Sequence, residues 1–288
     1  MVKMGNVWDR TVEVLNGRGG MLAGLALVSL FAPAALAAAF KSFAAPSTAT
    51  LLASGLLTLG VTIAALWGQL AIIAASSDPA TDRPAAIDAA NRRVGPAIGI
   101  ALLLALIFMI ALLPAFFLFL GAGFDWTAIS NGTPPAATAP GIAGVGVLYV
   151  LALGIALLFV GARLLPFYAV ILHERCGIGT IARCWRLTRR HTWRLVGVVL
   201  LFVLVAGIAT LAAQTVIGLL FRLMLGAGAA QAVAFAAAIA GQAVSTALTL
   251  VAIVFSAQLY LALVDRERRL RERAATPVAA DDAWRDPA

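Results

Sequence analysis

Leu195-Val-Gly-Val-Val-Leu-Leu-Phe-Val-Leu-Val-Ala-Gly-Ile-Ala-Thr-Leu-Ala-Ala-Gln-Thr-Val-Ile-Gly-Leu-Leu-Phe221 carries no charged residue, and Arg194 and Arg222 bound it. A helix needs roughly 20 apolar residues to cross the hydrocarbon of a bilayer, and this stretch exceeds that length. Working outward from it, five more stretches pass the same test: 19–40, 42–77, 94–124, 126–162 and 223–264. The 21 basic and 13 acidic residues fall into seven islands between and around these stretches. Islands one, three, five and seven hold five, six, eight and twelve charges, whereas islands two, four and six hold Lys41, Asp125 and Arg222 alone. Hydrophobic residues make up 62% of the chain and charged ones 12%, about half the charged share usual in a soluble domain. Lipid is therefore the expected solvent. The pattern predicts an all-α membrane protein with six transmembrane helices arranged as three hairpins.

The alternation of crowded and sparse islands also predicts orientation. Nineteen of the 21 Lys and Arg lie in the crowded islands, so the positive-inside rule places both termini and islands three and five in the cytoplasm. The expected location is a bacterial cytoplasmic (inner) membrane. The net charge of +8 follows from this loop topology and is not read as nucleic-acid binding. Met21–Phe40 has the A-x-A pattern of a signal peptide, but the charged segment before it is long, Pro33 interrupts it and five spans follow. It reads as an uncleaved first span. The expected organisation is an amphipathic cytoplasmic segment over 1–18, a six-span domain over 19–264 and a charged tail over 265–288, disordered at its end.

A short amphipathic stretch precedes the first, third and fifth spans: Asn6–Leu15, Pro84–Arg93 and Gly179–Arg190. Each is expected to form a cytoplasmic interfacial helix. The third has the sharpest pattern. At 100° per residue Arg183, Arg186, Arg190 and Arg194 share one face, while Ile178, Ile181, Trp185, Thr188 and Thr192 share the other. Such a helix lies flat at headgroup level. Its arginines are expected to contact anionic lipid or a partner protein, with Trp185 and Trp193 as anchors. Outside the membrane, Phe124–Pro140 forms the one sizeable loop. The final gap is too long for one straight span, which leaves Leu223–Ala237 to be interfacial, re-entrant or part of a last span near 240–263.

Little in the chain suggests chemistry. No Asp, Glu, Lys or His lies deep in a span, which counts against an ion-coupled carrier. His173 and His191 are eighteen positions apart, and no metalloprotease, nucleophile-elbow or phosphate-loop motif occurs. Neither a metal nor a cofactor is expected. Cys176 and Cys184 read as reduced packing residues. Ala237, Gly241, Ser245 and Thr249 recur every four residues as a packing stripe.

The segment Arg163-Leu-Leu-Pro-Phe-Tyr-Ala-Val-Ile-Leu-His-Glu174, followed by Ile181-Ala-Arg-Cys-Trp-Arg-Leu-Thr-Arg-Arg-His-Thr-Trp-Arg-Leu-Val-Gly197, resembles a known signature. It is similar to the membrane domain of bacterial glycerophosphoryl diester phosphodiesterases and its stand-alone relatives. Arg163, Glu174, Trp185, Leu187, Thr188, Trp193, Arg194, Leu195 and Gly197 match that pattern, as does the six-span plan. Cys184 stands where Ser is common. The catalytic barrel of those enzymes, with its His-Arg-Gly phosphate site, is absent, so the resemblance implies a membrane module and not diesterase activity. The leading expectation is a non-enzymatic scaffold or accessory module. Arg183, Arg186, Arg190, Arg194, Trp185 and Trp193 would contact lipid or partner, and an Arg163–Glu174 ion pair would hold the helix. The alternative is a channel or transporter for a lipid-like or small neutral substrate, near Gln69, Gln242 and Thr249. A membrane-embedded enzyme would need His173 and Glu174 in one pocket with a third polar group.

Overall fold

The computed structural model describes residues 4–45, 47–123, 138–174, 179–189 and 192–275, and among them every regular element is helical. In order they are α1 (Met4–Ala26), α2 (Ala32–Phe43), α3 (Thr48–Ser77), α4 (Arg83–Gly121), α5 (Pro140–Arg163), α6 (Phe167–His173), α7 (Gly179–Thr188), α8 (Thr192–Leu225) and α9 (Ala230–Ala275). Six helical segments are long and apolar enough to cross a membrane: α1–α2 together, α3, α4, α5 with α6, α8 and α9. The chain is thus a multi-pass membrane protein. Within hydrocarbon every backbone N–H and C=O must find its partner in the same segment, so charge-free apolar runs become helices.

Local residues set the breaks. Pro33 has no N–H to give the helix, and the chain accommodates it through a π turn over Leu27–Phe31 that joins α1 to α2. Ser47 and Thr50 form a capping box that starts α3 (Thr50 N to Ser47 Oγ 3.1 Å, Ser47 N to Thr50 Oγ1 2.7 Å). Asp82 caps α4 by accepting from Ala85 N at 2.9 Å, with Pro84 in the first turn. Gly226, at φ +75°, makes the left-handed turn between α8 and α9. The turn settles the long final gap. Leu223–Leu225 end α8, and Ala230–Ala237 belong to α9, which then runs unbroken through Arg266–Arg273 into the charged tail. The loop expected over Phe124–Pro140 lies, from 124 to 137, outside the described residues, as does the tail beyond 275.

The three amphipathic stretches meet different fates. Asn6–Leu15 and Pro84–Arg93 are the first turns of α1 and α4, continuous with their spans rather than separate helices. Both bury a face against the protein: Val7 and Thr11 in α1, Ala86 and Ala90 in α4. The third alone stands as a helix of its own, α7.

The core sits toward the end of the bundle that carries the crowded islands. Leu22, Leu25 and Leu30, the stretch Leu70–Ala75, Ile100, Phe167, Val170, Cys184, Ile253, Val254 and Tyr260 form one cluster. Val7, Ala162, Leu195, Phe255, Leu259 and Leu263 form a second beside it. α9 is the hub, packed against α1, α2, α3 and most extensively α8. Toward the opposite end α4, α5 and α8 expose apolar side chains on most faces, as lipid contact requires. The stripe on α9 faces α8. A Cβ at Gly241 would lie 2.4–2.8 Å from Gln214, and one at Gly218 would lie 3.4 Å from Ala237. Gln231 also donates to the Ser42 carbonyl, and Phe43 meets Phe235 edge-on at 5.3 Å, tying α2 to the start of α9.

Candidate functional site

At the charge-rich end, α5 stops at Arg163. A turn through Pro166 then sends α6 back into the core on Phe167, Ala169, Val170 and Ile171. Glu174 caps this excursion. α7 packs with Thr180, Cys184 and Thr188 inward, all essentially inaccessible to solvent, and with Ala182, Trp185, Arg186 and Arg189 outward. Positions i, i+4 and i+8 lie on one helix face, and these small side chains let α7 approach its neighbours closely. Trp185 (43% exposed) therefore turns outward from the side it was expected to share with Thr188.

Arg183 is the centre of the site. Its Nε donates to Glu174 Oε2 at 2.8 Å, and its two terminal nitrogens reach the carboxylate of Glu267 at 3.0 and 2.7 Å. Arg271, one turn beyond Glu267, donates to the same carboxylate at 2.7 Å. Tyr260 donates its hydroxyl to Glu174 Oε1 at 3.1 Å. The Arg183 side chain is only 16% exposed, and the carboxylates hold its guanidinium more firmly protonated than usual, Glu267 most of all. This corrects the expectation that Arg183 faces lipid or a partner: its donors are taken by two carboxylates, and it latches α7 to α9.

The expected Arg163–Glu174 pair does not form. Arg163 donates to Thr192 Oγ1 at 3.2 Å and lays its guanidinium 4.0 Å above the Trp185 ring, a cation–π contact. The excursion of α6 carries Glu174 away from Arg163 and into reach of Arg183. The four-arginine face is divided as well. α7 ends at Thr188 and α8 begins at Thr192, so Arg194 belongs to a different helix from Arg183 and Arg186, and Arg190 lies outside the described residues. Arg186, Arg189 and Arg194 are exposed and have no carboxylate partner among the described residues. Trp193 (77% exposed) packs edge-on against Phe159 at 5.1 Å.

His173 and Glu174 do share a cleft of about 460 Å³ with Tyr260. No hydrogen bond joins them. His173 stacks flat on Tyr260 (5.4 Å, 5°), and its Nε2 lies 3.1 Å from Ser77 Oγ. Ser77 donates to the Ile73 carbonyl at 2.7 Å, so the histidine is the donor toward Ser77. These contacts, with Gln258 Nε2 on the Ser76 carbonyl at 2.7 Å and Arg18 on the carbonyls of Ala75, Asp78 and Thr81, clamp the end of α3. Among the described residues no group of three side chains could hold a metal ion. Sequence reasoning missed Glu267, Tyr260 and Arg18. The one local sign was the i,i+4 spacing of Glu267 and Arg271.

Cys184 lies on the buried face of α7, and burial together with the Glu174 charge pushes its thiol up to about 12. In a Cys176→Ser background Cys184 will therefore resist maleimide at neutral pH and react fully once the chain is denatured. Rapid labelling of the native protein would show that α7 is not docked.

Comparison of the chain with models of known protein families, with curated proteins and with solved structures gives no match. What the site does is read from its own residues.

Proposed function

We propose that this chain is a non-enzymatic module of a bacterial inner membrane that gathers anionic lipid headgroups at its cytoplasmic face. In this reading the six spans form three hairpins, both termini are cytoplasmic, and α7 lies amphipathically at headgroup level. One observation carries the proposal: Arg186 and Arg194 project without carboxylate partners among the described residues, beside the exposed Trp185 and Trp193, while Arg183 is tied inward and fixes the helix that presents them. Tryptophan rings settle at the interface and guanidinium groups reach for phosphate, so the two types side by side suit a headgroup layer. The resemblance of residues 163–197 to a phosphodiesterase membrane domain supports a phospholipid setting. Close packing of Gly241 on Gln214 favours a scaffold over a substrate path along the α9 stripe.

Each arginine near an anionic leaflet contributes about 1 kcal/mol. In nanodiscs, adding phosphatidylglycerol to phosphatidylcholine will raise the Tm of the full chain, and Arg186→Gln/Arg194→Gln will remove about 2 kcal/mol of that gain. An equal gain in variant and parent would refute the reading.

A further inference from the structure

Between α7 and the extension of α9 beyond the membrane lies a cleft of about 410 Å³, within the range of small-ligand sites. Its polar wall is made by Arg186, Arg189 and Arg266, and its apolar floor by Leu187, Leu263 and Leu270. Among the described residues one carboxylate, Glu267, reaches the cleft, and it is already bound by Arg183 and Arg271. Arg186 and Arg189 therefore give the cleft a cationic excess. Among the described residues Arg186 and Arg189 form no ion pair, whereas Arg183, one turn earlier, has two. Because the Arg183 latch fixes α7 against α9, the two free guanidinium groups are held on one wall before any ligand arrives, which lowers the ordering cost of binding.

We infer that this cleft is a binding site for the phosphate ester of a membrane lipid. Arg186 and Arg189 grip the phosphate oxygens, and the glycerol end of the chains lies over Leu187, Leu263 and Leu270. Planar guanidinium groups bind phosphate through paired N–H donors, the geometry lysine cannot supply. The leucine floor favours a lipid ester over a free phosphate, which would leave that surface wet. The inference rests on the headgroup reading above and narrows it from a charged face to one saturable site.

The test titrates the full chain, in uncharged detergent, with phosphatidic acid, with glycerol 3-phosphate and with oleate, and counts bound ligands by native mass spectrometry. Phosphatidic acid will bind saturably at one copy per chain, and Arg186→Gln/Arg189→Gln will weaken it about tenfold or more, as loss of charge-assisted hydrogen bonds implies. Arg92→Gln/Arg269→Gln, an equal loss of charge at exposed positions off the cleft, will leave it unchanged. Oleate will bind without saturation. Unsaturable phosphatidic acid, or equal weakening by both variants, overturns the site. Glycerol 3-phosphate binding as tightly as the lipid overturns the lipid assignment in favour of a soluble phosphate ester. If the site fails while nanodisc stabilisation by phosphatidylglycerol still depends on Arg194, the broader headgroup reading stands. If neither measurement responds, both fall.

Discussion

Arg183→Gln will lower the stability of this protein by about 2–4 kcal/mol, the largest loss expected from any single polar substitution in it. The arginine bridges both carboxylates, pairing with Glu174 and, together with Arg271, with Glu267. The three side chains are 16, 22 and 29% exposed, so the site lies between a surface pair, worth less than about 1 kcal/mol, and a buried one, whose rupture costs about 3–5. Glutamine leaves Glu174 and Glu267, far apart in sequence, facing each other without their shared cation. The loss will be read as a fall in Tm in uncharged detergent or in phosphatidylcholine nanodiscs without anionic lipid. Arg186→Gln, three residues on and solvent-facing, will stay within about 0.5 kcal/mol of the parent. A triple variant, Arg183→Met/Glu174→Gln/Glu267→Gln, will recover much of the loss, because removing the whole set also removes its desolvation cost. An Arg183→Gln protein as stable as Arg186→Gln would mean that α7 is not latched to α9.

The contrast between Arg183 and Arg186 shows where the sequence is legible and where it is not. The spans could be read because the rule behind them is local: a charge cannot sit in hydrocarbon, so Arg194 and Arg222 must lie at or beyond the ends of the stretch between them. The Arg-rich helix could be found by its period for the same reason. Which of its arginines turns inward could not, since that depends on Glu267, which only the tertiary fold brings alongside. Angles on a wheel also assume one continuous helix, and the break between Thr188 and Thr192 put Arg194 on another axis. The buried face of α7 is made of Thr180, Cys184 and Thr188, which carry almost no hydrophobic signal, so the periodic pattern grouped Thr188 with the anchor Trp185 instead. Arg163 and Glu174 looked like partners by proximity in sequence and charge. The short helix α6 between them, buried on Phe167 and Val170, is what separates them.

Gly68→Ala will destabilise the protein by about 1–3 kcal/mol, although alanine is the better helix former by about 1 kcal/mol. A Cβ at Gly68 would lie 2.0 Å from Ser29 Oγ and 2.4 Å from Ser29 Cβ. Ser29 sits in the π turn that accommodates Pro33, and its hydroxyl donates to the Leu25 carbonyl at 2.7 Å. Rotating the hydroxyl aside does not help, because the Ser29 Cβ is fixed to the backbone; either the first span or α3 must move. Ser29→Gly removes both clashing atoms and leaves Ser29 Cα at 3.7 Å, an ordinary contact. Alone it will cost about 1–2 kcal/mol, through the lost hydroxyl bond and the freedom glycine gives the helix. Combined with Gly68→Ala it will cost less than the sum of the two, with a coupling energy of about 1–2 kcal/mol. Gly60→Ala, on the same helix with open space around it, will be neutral or stabilising. Additive losses in the double variant would place the two helices further apart than they are here. A coupled pair would instead identify Ser29 and Gly68 as the close contact that lets the first span keep its proline-driven turn inside the membrane.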